Sequence, residues 1–107
     1  MRETDIQKAC LQLLHLKGVF CWRQNQGGIP DGRGGFRRFN GMPGQSDIIG
    51  IFDGRFFACE IKRPGKKPTE TQQRFLDQVT EHGGIALWVT SVDELEEDLQ
   101  ELGSVEK

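Results

Sequence analysis

Three residues in this chain combine types and spacing that could do chemistry: Asp47, Glu60 and Lys62. Asp47 opens an apolar run (DIIGIF), and Glu60 and Lys62 close a second one (RFFACEIK), with Asp53-Gly54 between them. A DG pair between two apolar runs is a strong hairpin signal and favours a two-residue type I′ turn. With that turn, Phe52 pairs with Arg55, and counting outwards residue 47 pairs with residue 60. The two carboxylates would then face each other on one side of the sheet, Cβ atoms about 5 Å apart. Lys62 shares that face, roughly 6–7 Å further along the strand. Two facing carboxylates repel unless a cation or a proton lies between them. Oxygen ligands with no His or Cys nearby suit Mg²⁺ or Mn²⁺ better than zinc, and a lysine beside such a metal can hold a phosphate or act on a water. The plainer alternative is a solvated ladder of ion pairs on an exposed hairpin, which leaves the apolar surroundings unexplained.

The elements that would position these residues follow from periodicity. Ile6, Ala9, Cys10, Leu13 and Leu14 predict a helix over residues 4–17, with Thr4 and Gln7 as a capping box and Gly18 as its stop. Val19 to Gln24 is β-prone. Asn25 to Ser46 is a long loop with seven glycines, Arg33, Arg37, Arg38, Phe36 and Phe39; loops of this length are usually functional or mobile, and a plain insert is the alternative. Strands over 47–52 and 55–62 are followed by a basic connector, Arg63 to Pro68. A helix over about 70–82 carries Phe75, Leu76 and Val79 on its apolar face. Ile85 to Val89 is a continuous apolar run, as in a strand buried on both faces. Ser91 caps a last helix with Glu94 as its capping-box partner, and Val92, Leu95, Leu99 and Leu102 as its buried stripe. The expected architecture is α/β: a single domain over 1–107, ordered α-β-β-β-α-β-α around a small mixed sheet.

With this geometry in place, the chain resembles a known group. Asp47 followed by Glu60-Ile61-Lys62 on the next strand resembles the D…ExK signature of the PD-(D/E)xK nuclease superfamily. Gly44-Gln45-Ser46-Asp47-Ile48-Ile49, Glu60-Ile61-Lys62-Arg63-Pro64-Gly65 and Thr69-Glu70-Thr71-Gln72 are most similar to the VRR-NUC branch, including its stand-alone phage-type members. Pro43 lies four residues before Asp47, so the superfamily's literal Pro-Asp dipeptide is absent. The resemblance implies a restriction-endonuclease-like αβββαβ core. It implies a metal held by Asp47, Glu60 and the Ile61 carbonyl, with Lys62 acting on the attacking water and the phosphate. It also implies an active-site role for Gln72, for which a Thr69–Gln72 capping box is the competing use. Glu3 is similar to the family's N-terminal helix acid and could help bind a second metal; a plain surface glutamate is the alternative. No nucleotide cofactor is implied.

Charge and composition fit a nucleic-acid partner once their distribution is considered. The net charge is −2, but residues 17–68 hold ten basic and four acidic residues, and residues 69–107 hold two basic and ten acidic. Such a chain can offer a cationic face to a polyanion. Arg33, Arg37 and Arg38, interleaved with Phe36 and Phe39, suit phosphate contacts and stacking, or else form a small hydrophobic cluster under the loop. Lys66 and Lys67 are further phosphate contacts. Trp22 and Trp88 are expected in the core. Cys10, Cys21 and Cys59 show no zinc spacing and are expected as buried thiols. No stretch has the length of a membrane span or the form of a signal peptide, which together with the thiols suggests a cytoplasmic protein, of a bacterium or phage-infected cell by resemblance. The expected activity is metal-dependent endonucleolytic cleavage of DNA, selective for branched structure in the manner of a Holliday-junction resolvase and carried out by a homodimer. The hairpin and residues 34–41 are expected at the dimer interface. A DNA-binding module without catalysis and a structural or inhibitory partner protein are the other two classes open to it.

Overall fold

The periodic apolar residues of the N-terminus build α1 (Glu3–Leu16), whose buried stripe includes Ile6, Cys10 and Leu14. The helix starts one residue earlier than the sequence predicts. Arg2 is its N-cap and makes no side-chain capping bond; Thr4 lies inside the helix, so the expected capping box with Gln7 does not form, and Gln7 is buried. Gly18 takes φ +81° and turns the chain out of the helix. The computed structural model describes residues 2–24, 29–30, 36–37 and 42–105.

Among the described residues, six strands follow the helix. They are β1 (Phe20–Arg23), β2 (Ile29–Pro30), β3 (Phe36–Arg37), β4 (Ile48–Phe52), β5 (Arg55–Ile61) and β6 (Ile85–Val89). β2 and β3 pair with each other antiparallel, so the stretch read as a loop contains a short ribbon. The others form one mixed sheet, ordered β1-β4-β5-β6, in which only the β5–β6 pair is parallel. α2 (Glu70–Glu81) lies between β5 and β6 in the chain, and α3 (Val92–Val105) ends it. At the start of α3, Ser91 Oγ accepts the Glu94 N–H at 3.1 Å, and the Glu94 carboxylate reaches back to Thr90. This is the mixed α/β arrangement that the αβββαβ expectation describes.

Side-chain alternation divides the sheet into two unlike faces. Cys21, Ile48, Phe57, Cys59, Ile61, Ile85 and Val89 point to one face and form the core with Ile6, Cys10 and Leu14 of α1 and Leu95 and Leu99 of α3. α2 packs against the other face, over β5 and β6. The three cysteines are buried free thiols, and burial pushes Cys10 up to about 11. Trp22 and Trp88 are not core, contrary to the sequence reading: they are 43% and 40% exposed. The reason for Trp88 is that β6 is an edge strand with only one covered neighbour, so its apolar run is not buried on both faces. Among the described residues no helix is long and apolar enough to cross a membrane.

The hairpin has the predicted turn. Asp53 and Gly54 both take positive φ, at 52° and 78°, as a type I′ turn requires. Arg55 ties the turn to the rest of the fold by donating to the Gly83 and Gly84 carbonyls at 2.8 and 3.2 Å. Where β4 meets β1 the backbones approach closely at Gly50, and a Cβ there would fall 2.2 Å from the Phe20 carbonyl oxygen. Gly50→Ala is therefore expected to force β1 off β4 and destabilise the protein by about 2 kcal/mol or more, measured by urea unfolding; an unchanged midpoint would mean that the sheet opens there without cost.

Candidate active site

The observed register runs from Phe52↔Arg55 out to Ile48↔Cys59, so the next pair outward is Asp47 and Glu60. β4 formally begins at Ile48 and β5 ends at Ile61, because Asp47 uses its side chain in place of a strand bond. Its Oδ2 accepts the Ile61 N–H at 2.8 Å, while its carbonyl accepts the Gln24 N–H at 2.7 Å. The Asp47 carboxylate is thus fixed against the strand that bears Glu60. Upstream, Gly44 (φ +75°) lies against the first turn of α2, where a Cβ would come within 2.3 Å of the Thr71 carbonyl oxygen, so the approach to Asp47 is held from that side as well.

Glu60 is 2% exposed and, among the described residues, has one neighbouring cation, Lys62, whose Nζ lies 3.8 Å from its Oε2. Lys62 is itself held in place by its backbone N–H, which donates to the Val89 carbonyl at 2.9 Å. Burial is the main cause that pushes Glu60 up to about 8; the Asp47 charge and a hydrogen bond to Asp47 add to it, and Lys62 opposes it. Burial also raises Asp47, against the opposing effect of the Ile61 N–H. Burial and the charge of the neighbouring carboxylate thus both favour the protonated form of Glu60 in the folded chain. Glu60 Oε1, by contrast, is buried without a hydrogen-bond partner among the described residues. A buried oxygen with an open coordination site, beside a second carboxylate that gives up negative charge only by holding a proton, fits a hard divalent cation such as Mg²⁺ or Mn²⁺. Asp47 and Glu60, and by resemblance the Ile61 carbonyl, would hold it.

Beyond Lys62 a cleft of about 730 Å³ opens between the start of α1 and the β5–α2 connector. Arg2, Lys62, Arg63, Lys66 and Lys67 line it, with Glu3 and Asp5 as its acidic members. The connector is turned there by Gly65 (φ +88°), and Lys66 N–H donates to the Arg63 carbonyl at 3.1 Å. Lys66 and Lys67, singled out in the sequence, thereby line the cleft that Lys62 also lines; Arg2 and Arg63 join them and were missed, although the run of four cations from 62 to 67 already pointed to Arg63.

Other expected site residues are placed differently. Glu3 is close enough for its charge to raise both carboxyls. It does not complete a cluster, however, since no group of three His, Cys, Asp or Glu among the described residues could hold a metal; the N-terminus of α1 places Glu3 at the cleft wall. Gln72 takes up the competing use that the sequence offered. Its Oε1 accepts the Thr69 N–H at 2.9 Å and its N–H donates to Thr69 Oγ1 at 3.2 Å, a complete capping box. The same spacing that suggested an inward-facing polar group thus serves the helix start. Gln72→Ala is expected to lower stability by about 0.5–1 kcal/mol, as loss of a cap does, and to leave Mn²⁺ affinity unchanged; a tenfold weaker metal titration would return Gln72 to the site. Arg33, Arg38 and Phe39 lie outside the described residues, as does most of 34–41, and Arg37 is described only as backbone in β3.

Fold and site together define an α/β protein with two carboxylates and a lysine gathered at one end of a mixed sheet, next to a basic cleft. No protein-family model matches the chain, and no curated protein matches it in sequence.

Proposed function

We propose that this chain is a metal-dependent DNA endonuclease of the PD-(D/E)xK type, similar to the VRR-NUC branch. The observation that carries the reading is the buried pair Asp47–Glu60, with an unsatisfied Glu60 oxygen and Lys62 at 3.8 Å. A buried like-charged pair destabilises a fold, and the surrounding hairpin is otherwise apolar; a cation-binding role accounts for its presence where a structural one does not. A divalent cation bound there would offset the buried charge and supply Lewis acidity for phosphodiester hydrolysis. Asp47, oriented by the Ile61 amide, and Glu60 on β5 would hold it. The Lys62 ammonium, 3.8 Å from Glu60 and lining the cleft, can hold a non-bridging phosphate oxygen or orient the attacking water. Arg63, Lys66 and Lys67 bind the flanking phosphates, a contact that is independent of sequence and sensitive to salt.

The test is a panel of end-labelled single-stranded, duplex, flap and four-way-junction DNAs incubated with Mg²⁺ or Mn²⁺. Metal-dependent cleavage of at least one, abolished by Asp47→Ala, is expected. Tight DNA binding with no cleavage of any member would leave a binding module instead.

A further inference from the structure

The sheet face that carries Asp47, Glu60 and Lys62 is covered by α2 only over β5 and β6, since α1 and α3 both pack on the opposite face. Over β1 and β4 no described helix packs on it, and Phe20 is 68% accessible and Ile51 47%. The two tryptophans occupy particular places on this face. Trp22 pairs with Ile49, two residues from Asp47, so it is a diagonal neighbour of that carboxylate at roughly 7–8 Å. Trp88 is the pairing partner of Glu60 on β6. One half-exposed indole on each edge strand thus brackets the acid pair. Trp22 is also positioned: it meets Phe20 edge-to-face at 5.5 Å, and its Nε1–H donates to Gln24 Oε1 at 3.3 Å.

We infer that the strand to be cut is unpaired where it crosses this sheet, and that bases on either side of the scissile phosphate stack on Trp22 and Trp88. This rests on the nuclease reading and narrows its substrate class to single-stranded segments such as flaps. Three features support it together. Base faces are available to an indole only when the nucleotide is unstacked from a duplex. The basic cleft of Arg63, Lys66 and Lys67 also holds Lys62, whose Nζ lies 3.8 Å from Glu60, so phosphate contacts are available on the lysine side of the acid pair. The edge strands are three strand spacings apart, about 14 Å, so no single base touches both tryptophans and more than one nucleotide must be unpaired. A second copy of this chain, the occupant the sequence suggested for the hairpin, would instead cover Phe20 and Trp22 and close the approach to Asp47.

Fluorescence anisotropy in EDTA with a labelled oligothymidylate and a blunt duplex of equal length decides this without cleavage. The wild-type chain is expected to prefer the single strand at least tenfold, with quenching of tryptophan emission. Trp22→Ala and Trp88→Ala should each weaken single-strand binding at least about fivefold, the scale of one lost stacking contact. Duplex binding and Mn²⁺ affinity should not change, and Trp22→Phe should restore most of the loss. Equal affinity for both DNAs, with no effect of either alanine, would overturn the inference and leave a duplex nuclease. A dimer by light scattering that Trp22→Ala dissociates would overturn it too, by assigning the patch to self-association. Failure to bind either DNA at low salt would remove the nuclease reading on which it depends.

Discussion

In EDTA the protein is expected to melt at progressively lower temperature as pH rises between the ordinary glutamate value of 4.5 and about 8. The folded-state pKa of Glu60 is raised, so the native chain binds a proton that the unfolded chain has already lost. Stability from that proton is fully present below the unfolded value and disappears as pH passes through the folded one. Asp47 is shifted in the same direction, for the same main reason of burial. Each pH unit of separation corresponds to about 1.4 kcal/mol, so the gap from 4.5 to about 8 gives a fall of about 5 kcal/mol across the window, roughly 20 °C or more for a domain of this size. Mn²⁺ should reverse the slope, because a cation that binds only the deprotonated pair gains affinity as the proton leaves. Glu60→Gln should flatten the EDTA curve, raise the melting temperature near pH 8, and abolish the response to Mn²⁺. Scanning calorimetry with and without metal across pH checks all three. A melting temperature that rises with pH in EDTA would show that the pair is ionised and otherwise compensated.

The second large effect is expected at Lys62. Its side chain is 13% exposed and points to the carboxylates, whereas Lys66 and Lys67 lie exposed along the cleft. Lys62→Ala should lower the single-turnover cleavage rate by about 10²–10³, the scale of one preorganised group acting on the transition state. Its effect on DNA affinity should be small. Lys66→Ala and Lys67→Ala should do the reverse, leaving the rate at saturating DNA and reducing the dependence of log affinity on log salt by about 0.7–0.9 each. Rate and affinity measured separately for the three variants give the answer. Equal losses in all three would make Lys62 one phosphate contact among several.

The hairpin was the most legible part of the fold because its information is local. A DG turn sets the pairing, strand alternation sets the face, and both held from Phe52↔Arg55 to Ile48↔Cys59. The order of elements and the buried cysteines were legible for the same reason, since each depends on periodicity over a few residues. What failed depended on the neighbourhood. Gln72 has identical sequence credentials as a cap and as an active-site amide, and only the observed bonds to Thr69 choose between them. Trp22 and Trp88 looked like core residues because an apolar run does not reveal which strand will be at an edge. The alternation of Phe20 and Trp22 around buried Cys21 held the hint for the first of them. The position of Glu3 depends on how α1 crosses the sheet, which no local pattern encodes.

The two-residue turn also constrains how this stretch can change over generations. β5 uses Phe57, Cys59 and Ile61 for the core and Ala58, Glu60 and Lys62 for the opposite face, so a strand residue gained or lost would exchange the two sets. A change on one strand alone would also slip Glu60 from opposite Asp47. Only insertions matched on both strands, two residues at a time, preserve both the partnership and the face. Lineages descended from such a chain should therefore vary in residue type at the exposed positions of the hairpin while its length between Asp47 and Glu60 stays constant or changes in steps of four.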